Sequence, residues 1–243
     1  MPNPTAAMLV IGDEILSGRT RDANMHYLAG ELSQAGINLT EVRIVSDQHD
    51  RIVSALNALR KSHDHVFTSG GIGPTHDDIT ADAVADAFGV TLGIREDARA
   101  LLTEHYARTG LELNAARLRM ARIPDGACLI ENPVSAAPGF SLGNVYVMAG
   151  VPAVFQAMVA ELLPQLERGA ALYSQNLTIP RGEGEIAADL QALAQSFPQL
   201  SIGCYPFERN GAYGATVVIR GEEKAQVDAA MVRLAGLFPE AVA

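Results

Sequence analysis

Short apolar runs, each ended by glycine, alternate with longer amphipathic segments through the first two thirds of the chain. Ala6–Ile11 is a compact apolar run that stops at Gly12, and His65–Thr68 runs into Gly70 and Gly71. Runs of this length suit buried strands, and the segments between them carry apolar residues at helical spacing. This alternation is typical of a parallel sheet flanked by helices. We therefore predict an α/β fold of three layers, α/β/α, with a mostly parallel sheet.

The pattern changes around Arg168. Between Tyr173 and Leu237 the residues read as strand, helix, strand, strand and helix, which predicts a small α+β domain of a KH-like or ferredoxin-like kind. We place the boundary so that residues 1–168 form the α/β domain and residues 169–243 form the KH-like α+β domain.

The charge balance limits the partners that this chain can hold. Its 243 residues include 28 acidic and 18 basic side chains, a net charge of −10, with no long run of Lys or Arg that could displace counterions from nucleic acid. The glycine loop Gly182–Glu185 carries two carboxylates, which argues against RNA binding. No apolar run approaches the roughly 20 residues of a membrane span, and the amino terminus lacks the basic flank of a secretory signal. We expect a cytoplasmic protein that binds neither nucleic acid nor membranes.

Two glycine-rich loops carry acidic pairs directly after predicted strands. Glycine lets backbone amides approach an anion, and the carboxyl ends of parallel strands meet at one edge of a sheet. An acidic pair beside an anion needs a cation, and Mg²⁺ is the natural candidate because it binds one or two carboxylates together with substrate phosphates. The two loops therefore predict a site for a metal ion and a phosphate, built from Gly12, Asp13, Glu14, Gly70, Gly71, Gly73, Asp77 and Asp78.

Each of these features also has a simpler interpretation. A Gly-Gly pair can be a turn, and Asp77 or Asp78 can cap the helix that begins near Thr80. His76 lies inside the second loop, where it either contacts a phosphate or faces solvent. The Walker-type phosphate loop, the dinucleotide-binding fingerprint and the nucleophile elbow of acyl hydrolases are all absent from the sequence. The motifs therefore do not favour those three classes of protein.

Four motifs occur in a fixed order along the first domain: Gly12–Arg19, Ser69–Thr80, Asn132–Phe140 and Gly150–Pro152. They resemble the molybdopterin-binding (molybdenum cofactor biosynthesis) domain that opens the competence/damage-inducible protein A (CinA) family. The tail resembles the KH-like domain that follows in that family, and its Ser201–Pro206 is also similar to the molybdopterin-binding-like half of eukaryotic FAD synthases. The length predicts a short form without the amidohydrolase domain of full-length CinA proteins.

The resemblance implies that the protein binds a nucleotide or a pterin phosphate. It also implies metal-dependent hydrolysis of the pyrophosphate in an adenosine diphosphate compound, ADP-ribose or FAD. The metal would be Mg²⁺ or Co²⁺, with K⁺ as a further expected ion, and molybdopterin is an expected alternative ligand. Two other readings stay open: adenylylation of molybdopterin in molybdenum cofactor biosynthesis, and ligand binding without turnover. The resemblance further implies a homo-oligomer.

Roles for individual residues follow from the same resemblance. Asp78 and Asp47 would act on the metal ion or on the attacking oxygen. The metal ligands would be Asp13, Glu14, Asp77 and Asp78. The phosphate and ligand contacts would come from Gly12, Ser17, Gly70, Gly71, Gly73, Thr75, His76, Asn132, Ser135, Pro138 and Gly139. Several positions depart from the family pattern. Gln48 and Val154 stand where an acidic residue is usual, Ala149 where proline is usual, and Ser135 and Ala136 where glycine and threonine are usual.

Overall fold

In a computed structural model, which describes residues 3–209 and 211–242, the chain divides into two compact units. The first unit ends at Gly169 and the second begins at Ala170. The strands of the first unit are β1 (Thr5–Ile11), β2 (Asn38–Val45), β3 (His65–Ser69), β4 (Leu92–Ile94), β5 (Arg122–Pro124), β6 (Cys128–Ile130), β7 (Gly139–Leu142) and β8 (Val145–Met148). Its helices are α1 (Asp13–Leu16), α2 (Asn24–Gln34), α3 (His49–Ser62), α4 (Thr80–Phe88), α5 (Glu96–Thr109), α6 (Ala115–Leu118) and α7 (Pro152–Leu162).

Six strands form the main sheet in the order β2-β1-β3-β8-β7-β6. β1 pairs in parallel with both β2 and β3, and β3 pairs in parallel with β8. β7 runs antiparallel to β8 and to β6. The predicted mostly parallel sheet is confirmed. Because β1, β2, β3 and β8 run in one direction, their carboxyl ends lie at the same edge of the sheet.

Alternate residues of β1 face opposite layers of helices. Ala7, Leu9 and Ile11 are buried in one apolar core with residues of α3, α4 and α5, and Ala6, Met8 and Val10 are buried in another with residues of α2 and α7. A strand that is buried on both faces explains why Ala6–Ile11 reads as a continuous apolar run. The three-layer α/β/α architecture predicted from the sequence is therefore confirmed.

The second unit consists of β9 (Tyr173–Ile179), α8 (Glu183–Ser196), β10 (Ser201–Arg209), β11 (Ala212–Gly221) and α9 (Lys224–Leu237). The strands form an antiparallel sheet in the order β10-β11-β9, and residues of both helices share one apolar core with the sheet. The predicted order of strand, helix, strand, strand and helix is confirmed. None of the helices that the structure describes has the length and apolar character needed to cross a membrane.

Two predicted helices end earlier than their patterns indicate. The sequence after Pro152 predicts a helix that reaches Leu166, but α7 ends at Leu162 and a 3₁₀ turn follows. Pro164 explains this end, because proline has no N–H to continue the helical hydrogen bonds and its ring clashes with the carbonyl group of the preceding turn. The segment from Asn114 to Ala121 likewise divides into α6 and a 3₁₀ turn over Arg119–Ala121. The sequence pattern also missed the small antiparallel sheet of β4 and β5, whose strands have three residues each.

Gly139 was assigned to ligand binding, but the structure gives it a packing role in β7. It is buried, and a Cβ at this position would collide with the carbonyl oxygen of Val147 on β8. We expect Gly139→Ala to destabilise the protein by about 1–3 kcal/mol because the backbone must shift. Gly30 provides a matched control, since it is exposed within α2 and a Cβ there meets no atom within 4 Å. Gly30→Ala should stabilise the protein by about 0.5–1 kcal/mol.

Urea-induced unfolding of the two variants measures both effects through the shift of the midpoint. Equal midpoints for Gly139→Ala and Gly30→Ala would contradict the packing role of Gly139.

Candidate functional site

A cleft of about 420 Å³ lies at the edge of the sheet where the four parallel strands end. Ile11 is the last residue of β1 and Gly12 follows it, Asp47 follows β2, Gly70 follows β3, and Gly150 follows β8. The cleft therefore occupies the place where open α/β sheets bind ligands. The structure brings ten of the predicted site residues to its lining: Gly12, Glu14, Asp47, Gly70, Gly71, Gly73, Asp77, Asp78, Asn132 and Ser135.

The loop after β3 is fixed by its own backbone. Gly70 and Gly71 have φ values of 107° and 69°, in the region that favours glycine. The Gly70 N–H donates to the carbonyl oxygen of Met148 at 3.1 Å, and the Thr80 hydroxyl donates to the carbonyl oxygen of Gly70 at 3.0 Å. The Gly70 N–H is thus already used within the fold, although the family resemblance implies that Gly70 contacts the phosphate or ligand. The Gly71 and Gly73 N–H groups make no hydrogen bond within the described part of the chain.

The carboxylate of Asp78 holds the second half of this loop. Its Oδ2 accepts hydrogen bonds from the Thr75 N–H at 2.8 Å and from the Thr75 hydroxyl at 2.5 Å. A Cβ on Gly73 would lie 2.7 Å from the same oxygen. Asp78 therefore shapes the loop as well as lining the cleft, and Thr75 acts as its partner rather than as a lining residue.

Asp47 is one of the carboxylates that line the cleft. Its Oδ2 accepts a hydrogen bond from the Asp13 N–H at 2.8 Å. Burial raises the pKa of Asp47, and the charges of Asp13, Glu14 and Asp77 raise it further against the opposing effect of that hydrogen bond. Four negative charges in such proximity favour either a proton or a cation.

The acidic residues do not by themselves form a complete cage for a metal ion. Among the described residues, no group of three or more His, Cys, Asp and Glu side chains is arranged to hold one. The donor set instead fits a cation that takes part of its coordination from ligand phosphates, as Mg²⁺ commonly does.

The amide of Asn132 shapes the loop that follows β6. Its Nδ2 donates to the Ser135 hydroxyl at 2.7 Å and to the Ala137 carbonyl at 2.8 Å. Its Oδ1 accepts from the N–H groups of Val134 at 3.0 Å and Ser135 at 3.2 Å. Because these bonds occupy the whole side chain, Asn132 positions Ser135 at the cleft rather than reaching a ligand itself.

Several predicted site residues do not line the cleft. The Ser17 hydroxyl donates to the carbonyl oxygen of Glu14 at 3.3 Å, and the side chain of His76 is 99% exposed. Asp13 approaches the site through its backbone N–H, and Pro138 lines a smaller recess beside the cleft. In this structure the side chain of His76 therefore faces solvent.

Two polar residues near the site were not singled out as functional from the sequence. Asn24 is buried, and its Nδ2 donates to the Ser69 hydroxyl at 2.7 Å and the Gly150 carbonyl at 2.8 Å, so it joins the ends of β3 and β8. The carboxylate of Asp22 accepts a hydrogen bond from the Asn24 N–H at the start of α2. Arg119 lines the smaller recess, and no local pattern in the sequence marks it.

The raised pKa of Asp47 gives a testable pH dependence. The folded protein holds this proton more tightly than the unfolded chain does, so stability falls as the pH rises from the ordinary value of 3.8 to the raised folded value. Asp47→Asn removes this titration and keeps an oxygen that can accept from the Asp13 N–H. The two proteins are unfolded in urea without divalent ions. We expect the free energy of unfolding of the unmodified protein, minus that of Asp47→Asn, to decrease as the pH rises. A difference that increases with pH would overturn this assignment.

Comparisons with known proteins match both units. A family model described as "Probable molybdopterin binding domain" matches residues 7–168, and one described as "FAD synthase, middle domain" matches residues 171–243. A "CinA-like protein" of Geobacter metallireducens is 36% identical over 206 residues, which are 81% of this chain and 50% of that protein. A "Probable FAD synthase" of Caenorhabditis elegans is 31% identical over 259 residues, 96% of this chain and 50% of that protein. This chain thus spans about half the length of each of these two relatives.

The crystal structure of the protein CinA from Thermoplasma acidophilum is similar to this chain with a TM-score of 0.62 and 34% sequence identity. The match covers 68% of this chain and 99% of that one. The residues that line the cleft all lie within the range that the first family model matches. The chain therefore belongs to the molybdopterin-binding domain family, in its CinA-like form.

Proposed function

We propose that the cleft binds a nucleotide or pterin through its phosphates and that, with a divalent metal ion, it hydrolyses the pyrophosphate of an adenosine diphosphate compound. The observation that carries this proposal is the presence of two unlike kinds of group in the lining of one cleft. Gly71 and Gly73, whose N–H groups make no hydrogen bond within the described part of the chain, line it together with the carboxylates of Glu14, Asp47 and Asp77. Amides suit phosphate oxygens, and carboxylates suit the cation that accompanies them.

Different residues of the cleft have different roles in the proposed reaction. The Gly71 and Gly73 N–H groups donate to phosphoryl oxygens and hold the phosphorus in place. Asp47, whose pKa is raised, accepts the proton of the attacking water. The water oxygen forms a bond to phosphorus, the bond to the bridging oxygen breaks, and the products are AMP and a phosphate ester. Glu14 and Asp77 would hold Mg²⁺ or Co²⁺, and the ion would supply positive charge that offsets the repulsion in the site.

ADP-ribose and FAD are the compounds to test. Both contain the adenosine diphosphate unit that the proposed reaction requires. FAD also has support from the second unit, which matches the middle domain of FAD synthase, and from the relative named as a FAD synthase.

A second candidate is ligand binding without turnover. It is favoured by Val154, which lines the cleft where the family pattern has an acidic residue, and by the engagement of Asp78 with Thr75. Adenylylation of molybdopterin would use the same cleft, with the pterin phosphate in place of water as the nucleophile. Binding without turnover would leave the phosphate contacts intact and produce no AMP.

Release of AMP tests turnover. We expect the protein to release AMP from ADP-ribose or FAD with Mg²⁺ or Co²⁺, and Asp47→Asn to slow this release by roughly 10²-fold or more because it removes the base. Asp78→Ala should also reduce it by disrupting the loop, whereas Asp78→Asn keeps an acceptor for Thr75. Asp189→Ala is the matched control, because Asp189 is exposed on α8 in the second unit. Equal release by the unmodified protein and Asp47→Asn would refute the hydrolytic part of the proposal.

Thermal unfolding with ligand tests binding separately from turnover. A ligand present at 100 times its dissociation constant stabilises the folded state by about 2.7 kcal/mol. We expect such stabilisation by ADP-ribose, FAD or molybdopterin, increased by Mg²⁺ and reduced in Gly71→Ala, since a Cβ at position 71 would collide with the Thr80 hydroxyl. Stabilisation without AMP release would establish the second candidate, and no stabilisation by any of the three ligands would contradict both.

A further inference from the structure

The acidic cleft has no basic side chain of its own. Among the described residues that line it, none is Lys, Arg or His, while Glu14, Asp47, Asp77 and Asp78 are acidic. A diphosphate that enters this cleft would therefore meet repulsion in the absence of a cation. The nearest candidates for a permanent positive charge lie in the recess beside the glycine loop.

This recess shares part of its lining with the cleft. Gly71, Gly73 and Asp78 line both spaces, and Arg119 and Arg122 line the recess. The volume of the recess is about 20 Å³, which is room for one water-sized group. A single phosphoryl oxygen fits this space, whereas a whole phosphate, a base or a pterin ring does not.

The two arginines of the recess differ in their partners. Arg122 is held by Asp82, with Nη2 at 2.5 Å from Oδ1 and Nη1 at 3.1 Å from Oδ2, so a carboxylate balances its charge. Arg119 donates from Nη2 to the carbonyl oxygen of Asp78 across 3.4 Å, and its Nε is buried without a hydrogen-bond partner. Within the described ranges of the chain, no carboxylate forms an ion pair with Arg119. Its charge is therefore available to a ligand.

We propose that the Arg119 guanidinium binds a phosphoryl oxygen of the ligand, which sits in the recess beside Gly71 and Gly73. The class of ligand rests on the proposed function, but the contact needs no turnover and no metal ion. Arginine suits this position because its planar set of N–H donors matches phosphate oxygens and its charge strengthens each hydrogen bond. The contact gives an acidic protein one fixed positive group at the glycine loop.

Isothermal titration calorimetry in EDTA tests this assignment without metal ions. The probes are ADP, adenosine and inorganic pyrophosphate. The variants are Arg119→Gln, Arg119→Lys and, as a matched control, Arg108→Gln. Arg108 is exposed at the end of α5, does not line the cleft or the recess, and loses the same charge when replaced. The thermal midpoint of each variant reports whether it remains folded.

We expect Arg119→Gln to weaken ADP and pyrophosphate binding roughly tenfold or more and to leave adenosine binding unchanged, as the loss of one charge-assisted hydrogen bond predicts. Arg119→Lys should recover part of the loss, and Arg108→Gln should cause little change. Equal weakening of ADP and adenosine, or no weakening in Arg119→Gln, would overturn the assignment. Absence of ADP and pyrophosphate binding in the unmodified protein would overturn it as well. Absence of hydrolysis would contradict only the proposed reaction, because these titrations measure binding alone.

Discussion

The close backbone contact between Gly70 and the end of β1 is the constraint on which the cleft depends. A Cβ at position 70 would collide with the carbonyl oxygen of Ile11, and a Cβ at Gly150 would lie 3.3 Å from the Gly70 Cα. Glycine at these positions lets the ends of β1, β3 and β8 come together. Asn24 bonds to the Ser69 hydroxyl and the Gly150 carbonyl across the same junction. The position of the glycine loop therefore follows from the packing of three strand ends.

The electrostatics of the site follow from this arrangement. Strands that end side by side bring Glu14, Asp47 and Asp77 to one cleft, although they are far apart in sequence. Burial raises the pKa of Asp47, and the nearby charges of Asp13, Glu14 and Asp77 raise it further, because both make its ionised form less favourable. In the proposed complex a cation relieves this repulsion, and the free N–H groups of Gly71 and Gly73 donate hydrogen bonds to the phosphate. The net charge of −10 is thus compatible with an anionic ligand.

The sequence predicted the layers and the glycine loops because these depend on local patterns. Buried strands are continuous apolar runs, and glycine directly after such a run marks a strand end. Side-chain contacts depend on tertiary placement, which one sequence does not reveal. The bond from the Asp13 N–H to Asp47 requires the pairing of β1 with β2, and Arg119 reaches the loop 41 residues before it in sequence. The path of the loop after β3 likewise decides two contacts. It leaves the side chain of His76 in solvent, and it places the Thr75 N–H where it donates to the carboxylate of Asp78.

Mapping a phosphate-bearing ligand onto the backbone tests the central claim most directly. In protein labelled with ¹⁵N-glycine, each glycine amide reports its own surroundings by nuclear magnetic resonance. Titration with ADP-ribose and Mg²⁺ should shift the amide signals of Gly71 and Gly73 most strongly and those of Gly12 and Gly150 next. The signals of Gly182 and Gly184, in the second unit, should remain in place. Shifts confined to Gly182 and Gly184, or none at Gly71 and Gly73 under saturating ligand, would contradict binding at the strand-end cleft.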